Sequence, residues 1–271
     1  MSAEAPLPLR HALLLGLLHG PAELLPVSSS GHVTLVPWLA RWPYAGLDGD
    51  LRKSFEVALH AGTALALLIA LRGEVAEVLG ALDARRLGRH ALEFVPPGAA
   101  AMLFERPIQR RLGAPRGVAL AQVAGGLGLG IADRRPAERP HSDARAADAL
   151  AIGIAQACAL APGVSRNGAT LTAARLLRFD RAAANRLSRH AALPIILAAA
   201  GLKGYRLWRR GLPRSLAAPF GAGAAAAFGS TLVSSGRLVP LVDGARSYLP
   251  FAAYRMALGA LALTRAPTAR L

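Results

Sequence analysis

Two stretches of this chain carry the same interruption, an apolar run cut by proline and then by a Ser/Gly turn. Residues 14–32 read LLGLLHGPAELLPVSSSGH, and residues 151–169 read AIGIAQACALAPGVSRNGA. A shift of 137 places Gly16 on Gly153, Leu17 on Ile154, Val27 on Val164, Ser28 on Ser165 and Gly31 on Gly168. A second apolar run follows each turn, Val33 to Trp38 and Leu171 to Leu177. The pattern predicts two helices that each break and restart. A helix that stops leaves backbone N–H and C=O groups without partners. Inside a membrane this is tolerable only where those ends are buried in protein or line a wet cavity. Two broken helices meeting near the middle would bring four helix ends together. Their N-termini, with unpaired N–H groups and partial positive charge, would form an anion site. The chain then reads as one membrane domain over 1–271 with internal repeats of about 1–135 and 136–271. The residues alone do not decide between parallel and inverted repeats.

The composition fits a membrane. Hydrophobic residues make up 53% of the 271 and charged residues 18%, with a mean hydropathy of +0.35. That is apolar for a soluble domain. The apolar residues form blocks at about 9–25, 56–71, 91–104, 117–132, 148–162, 191–202, 216–233 and 250–264. Several are shorter than the ~20 residues that a spanning helix needs, and Pro96 and Pro97 break the third block. The net charge of +16 could describe a nucleic-acid surface. However, the arginines gather in gaps at 72–90, 134–145 and 203–214, each beside an apolar block. Basic cytoplasmic loops explain that placement, and no nucleic-acid partner is expected. The single Cys158 excludes an intrachain disulfide and a multi-cysteine metal site.

The polar residues gather in the two turns. The first holds Glu23, Ser28, Ser29, Ser30 and His32, with His19 four residues before Glu23 on the same helix face. Pro26 ends or bends that helix, and the serines suit the N-cap of the next. Ser29 and His32, three apart, would stand side by side at its positive end. Such a pair can act as nucleophile and base, or be a buried hydrogen-bonded pair and nothing more. The second turn holds Ser165, Arg166, Asn167, Gly168 and Thr170. An arginine in apolar surroundings wants an anion, and its planar fork suits phosphate oxygens. The alternative is a side chain snorkelling to the headgroups. Glu23 could hold a divalent cation such as Mg2+, or orient His19 or His32. His60 and Glu56 are four apart and can pair. Together the two clusters would offer a diphosphate a cation, N–H donors, a nucleophile and a base.

Four stretches carry a family resemblance: ELLPVSSSGH from Glu23 to His32, SFEVALHAG from Ser54 to Gly62, APGVSRNGAT from Ala161 to Thr170, and PFAAYR from Pro250 to Arg255. In these the chain resembles the bacterial undecaprenyl-diphosphate phosphatases, also called bacitracin-resistance proteins. The resemblance implies an all-α integral membrane protein of the bacterial plasma membrane. Its fold would be an inverted repeat with two re-entrant helix pairs and about six spanning helices. It implies removal of the terminal phosphate of undecaprenyl diphosphate, which recycles the carrier lipid of wall synthesis, at a site facing the outer side. A divalent cation, Mg2+, would support the reaction. By position, Glu23, Ser29, His32 and Arg166 match the catalytic residues, with Ser29 the candidate nucleophile. Ser28, Ser30, Ser165, Asn167 and Thr170 lie beside the phosphates, and Glu23 is the metal candidate. The expected partner is a polyprenyl diphosphate lipid, and a homodimer is the assembly to test. Three site positions depart from the family pattern. His19 stands for a Glu or Gln, His60 for a Gln and Asn167 for a Ser, so His19 and His60 are accessory candidates. Paired broken helices around an anion site also describe a polyprenyl-phosphate flippase, and the departures would suit a paralogue that binds without turnover.

Overall fold

The computed structural model describes residues 7–80, 83–210 and 214–265. Eleven helices follow one another: α1 (Leu9–Leu24), α2 (Ser29–Leu39), α3 (Gly49–Ala70), α4 (Arg72–Gly80), α5 (Ala84–Leu112), α6 (Pro115–Asp133), α7 (Ala146–Cys158), α8 (Arg166–Leu176), α9 (Arg181–Arg210), α10 (Arg214–Asp243) and α11 (Leu249–Arg265). The described residues contain no strand, only a single bridge between Arg139 and Phe179.

Both interruptions are built alike. Leu25, just before Pro26, leaves the helix at φ −87° and ψ 153°, because the proline ring crowds out the helical conformation of its predecessor. The chain restarts at Ser28, which has φ 75° and accepts a hydrogen bond on Oγ from Gly31 N at 3.2 Å. Ser165 has φ 54° and caps α8 in the same way, from Gly168 N at 3.1 Å. The returning helices α2 and α8 have 11 residues each. At ~1.5 Å per residue that is roughly 16 Å, about half of a ~30 Å hydrocarbon core.

Each broken helix packs on one long helix, and glycine sets the closeness. A Cβ on Gly16 of α1 would stand 2.3 Å from the Gly223 carbonyl oxygen of α10. On Gly153 of α7 it would stand 2.4 Å from the Leu92 carbonyl oxygen of α5. Only a missing side chain permits such approach. The bases of the two hairpins lie at opposite ends of α10. Leu216 and Phe220, near its start, join Leu7, Leu15, Tyr44 and Phe55 under α1 and α2. There the His11 ring also stacks on Trp42 at 4.2 Å. Val242, at its end, joins Leu171, Leu177 and Tyr248 under α7 and α8.

Two expectations change. Pro96 and Pro97 do not break the chain: α5 runs through them, and through Pro107. Proline already has a helical φ, and its cost lies mainly in the carbonyl four residues back that loses a donor. For Pro97 that carbonyl is Glu93, which instead accepts from Gln156 Nε2 of α7 at 3.1 Å. The three basic gaps also do not share one end. Arg89 reaches the Ala144 carbonyl, which joins the first gap to the second. The third, at 203–214, begins in the last turns of α9 and leads to Leu216 at the other end. Its first residue, Lys203, lies 22 residues along α9 from Arg181, roughly 33 Å of rise. Most side chains of that gap lie outside the described residues.

α3 and α10, the latter over Ser215–Asp243, are long and apolar enough to cross a membrane. Large apolar side chains stand exposed on most helices, among them Leu17, Leu65, Met102, Leu127, Ile154 and Val233. So broad a distribution exceeds the scattered apolar residues of a soluble surface and fits helices that face lipid.

Candidate active site

The tips of the two hairpins meet, and Glu23 stands between them. From the last turn of α1 its Oε2 accepts from Ser29 Oγ at 2.6 Å, and its Oε1 accepts from Arg166 Nη2 at 3.0 Å. Ser29 and Arg166 open α2 and α8, and the 137-residue shift superposes one on the other. Two further bonds join the turns: Gly163 N donates to Ser30 Oγ at 3.3 Å, and Asn167 Nδ2 donates to the Leu24 carbonyl at 3.1 Å. The Glu23 side chain is 10% exposed and that of Arg166 20%. Screening is weak there, so either charge without the other would be costly.

His32 has other partners. Its Nδ1 lies 2.7 Å from the Ser28 carbonyl, which can only accept, so Nδ1 carries the hydrogen. Its Nε2 lies 2.7 Å from Tyr254 Oη. Ser29 and His32 do share a face of α2. The imidazole, however, turns back to the N-cap carbonyl, which also accepts from the His32 backbone N–H at 3.1 Å, and the Ser29 hydroxyl turns to Glu23. The other polar residues of the turns are occupied. Ser28 and Ser165 are caps. Thr170, fully buried, lies 2.6 Å from Ser188 Oγ of α9. Ser188 in turn donates to Asn167 Oδ1 at 2.9 Å.

Three residues complete the site that spacing near the turns does not reveal: Gln122, Tyr254 and Arg255. Gln122 on α6 donates to the Val27 carbonyl at 3.0 Å and accepts from Arg255 Nε at 3.1 Å. Arg255 on α11 donates from Nη2 to the carbonyls of Gly163, at 3.1 Å, and Val164, at 3.2 Å. The pair therefore holds one carbonyl of the first turn and two of the second, groups that would otherwise sit unpaired in a dry interior. Arg255 is fully buried. The signal available for Gln122 was a lone amide in the apolar stretch of α6 from Val118 to Ala132, and for Tyr254 and Arg255 the run PFAAYR.

His19 and His60 also approach Glu23, His60 Nε2 lying 3.8 Å from the oxygen that Ser29 holds, and the ligand atoms of the three lie within 4.8 Å of one another. Mg2+ takes oxygen donors in near-octahedral array. Here Glu23 is the one oxygen ligand of the three, and the neighbouring donors are imidazole nitrogens. These residues do not fit Mg2+.

A cleft opens beside Glu23 and Arg166, with apolar walls from Leu24, Leu67, Leu71, Ile196 and Val239 and polar ones from Asn185, Ser188 and Arg189. Arg189 is held there by Glu74 at 2.9 Å and by Asp243. The fold and site thus define an all-helical protein with lipid-facing apolar helices, whose hydroxyl, carboxylate and guanidinium meet where two broken helices touch. The chain belongs to the family described as Bacitracin resistance protein BacA, which matches residues 12–261. Curated relatives named Undecaprenyl-diphosphatase are similar along most of their length. That of Geobacter sulfurreducens is 39% identical over 93% of this chain and 96% of its own. That of Pelobacter propionicus is 38% identical over 93% and 94%. That of Salinibacter ruber is 34% identical over 93% and 97%.

Proposed function

We propose that this protein hydrolyses the terminal phosphoanhydride of undecaprenyl diphosphate, releasing phosphate and undecaprenyl phosphate. The observation that carries the reading is the 2.6 Å hydrogen bond from Ser29 Oγ to Glu23 Oε2, with Arg166 on the other carboxylate oxygen. A hydroxyl donating to a buried carboxylate is poised for attack on phosphorus, with Glu23 taking its proton. Arg166 and the N–H groups that begin α2 and α8 stabilise charge on the equatorial oxygens. The bridging oxygen leaves as undecaprenyl phosphate, and water then cleaves the phosphoserine. His32 holds the Ser28 carbonyl and so positions Ser29. The apolar walls of the cleft suit the isoprenoid chain.

The membrane arrangement belongs to the same proposal. Hairpin bases at opposite ends of α10 support two re-entrant pairs of inverted topology in a multi-pass protein of the plasma membrane. The basic end of 72–90 and 134–145 then lies in the cytoplasm, and the diphosphate enters from the outer side.

One observation favours a second reading, a carrier for polyprenyl phosphates. The cleft reaches Leu71 and Arg189, at the basic end of the bundle, as an inward-open transporter would. Ser29→Ala separates the two. In the purified, detergent-solubilised protein it should lower phosphate release from undecaprenyl diphosphate by about 10³-fold or more and leave lipid binding largely intact. Loss of binding together with turnover would remove the nucleophile assignment, and unchanged lipid transport without hydrolysis would favour the carrier.

A further inference from the structure

His19 and His60 stand edge to face, with ring centroids 4.4 Å apart at 79°. His19 is fully buried, and its Nε2 has no hydrogen-bond partner. Its Nδ1 is engaged, 2.9 Å from Thr63 Oγ1. His60 repeats the arrangement. Its Nδ1 lies 2.8 Å from the Glu56 carbonyl, which fixes the hydrogen on Nδ1 and leaves a lone pair on Nε2. That Nε2 lies 3.8 Å from Glu23 Oε2. Two imidazoles anchored through Nδ1, with a ring nitrogen of each within 4.8 Å of one carboxylate oxygen, form the pattern of metal-binding histidines, whose outer hydrogen bond sets tautomer and ring direction.

We propose that His19 Nε2, His60 Nε2 and Glu23 form a site for a nitrogen-preferring divalent transition metal of the Zn2+ class rather than for Mg2+. Imidazole suits Zn2+ and its neighbours, whereas Mg2+ prefers carboxylate, carbonyl and water. Three protein ligands also leave a fourth tetrahedral position open, as in catalytic zinc sites. The His60 Nε2–Glu23 Oε2 separation of 3.8 Å is wider than the ~3.4 Å between donors bound at ~2.1 Å. Metal binding therefore draws the three side chains inward. At the corresponding place in the second hairpin stands Gln156, whose amide donates to a backbone carbonyl. The repeat can thus fill this position without a metal ligand, and the free imidazole in the first hairpin calls for its own explanation. The bearing of the site on turnover rests on the phosphatase reading; the binding itself does not.

The test is metal binding by the purified full chain, stripped with a chelator and dialysed against Zn2+, Co2+ or Mg2+. Stoichiometric zinc, and intense ligand-field bands with Co2+, are expected. His19→Gln and His60→Gln should each weaken zinc binding about a hundredfold or more. His60 is half-exposed, so its variant should keep the fold, and the wild-type cobalt spectrum decides even where a variant fails. A weak octahedral cobalt spectrum, zinc binding untouched in both variants, or displacement of zinc by equal Mg2+ would overturn the proposal. Phosphate release measured on the same samples separates the two ideas. Zinc bound without phosphate release removes the phosphatase reading and keeps the site; release with Mg2+ and no zinc retention does the reverse.

Discussion

Ser29 and Arg166 occupy the same place in two hairpins of matching backbone, one residue after a serine cap at positive φ. The first carries a hydroxyl, with Glu23 reaching across to it; the second carries a guanidinium, and Leu160 stands where Glu23 would. The support differs as well. Gln122 makes one bond to the first turn, whereas Arg255 makes two to the second. The difference shows how one backbone device can serve two purposes. Each turn offers helix N–H groups, and on the proposed mechanism the side chain that opens the helix decides whether the turn attacks an anion or holds it.

After the loss expected for Ser29→Ala at the first turn, the largest effect from breaking this division is at the second. Arg166→Ala should lower kcat/KM for undecaprenyl diphosphate by about 10²–10³-fold. Arg166→Lys should recover only part, because a point charge does not replace a fork. Equal activity in the lysine variant would mean that charge alone suffices there.

Next come the clamps. Arg255→Met strands two turn carbonyls and the Gln122 oxygen, and should cost about 3 kcal/mol or more in unfolding measurements in detergent. Gln122→Leu removes one turn contact and should cost about 1–2 kcal/mol. Equal losses would show that the two turns lean on the pair alike.

The smallest effect sharpens the likeness rather than the contrast. Ser28→Gly and Ser165→Gly relieve a positive φ but give up a cap, so each should change stability by less than about 0.5 kcal/mol. The alanine versions lose the cap and keep the strain, and should cost about 1 kcal/mol each. A marked difference between the two sites in either series would show that the matching dihedrals hide unlike surroundings.

Much of the site was legible because it is local. Pro26, the serine caps and the polar residues of each turn lie within a few positions of one another, and their roles follow from backbone rules. The partner of Ser29 was not legible in the same way. Spacing predicts which side chains share a face of α2, but Glu23 comes from the preceding helix, and Tyr254 reaches His32 from 222 residues away. Thr170 has the right residue type and position for a phosphate contact, yet α9 brings Ser188 to it. Pro96 and Pro97 looked like a break because the amide that accepts one freed carbonyl belongs to α7. In each case the missing information was a contact between distant parts of the chain.

The Arg255 clamp bears on how the protein comes into being at the ribosome. Glu23 and Ser29 are translated more than two hundred residues before the guanidinium that holds the opposing turn in shape, which arrives with α11. A nascent chain halted before Leu249 would carry Ser29 and even Arg166, but not the donor to the carbonyls of the second turn. On the proposed mechanism, hydrolytic competence therefore waits for α11, and a chain halted short of it stays silent toward the lipid.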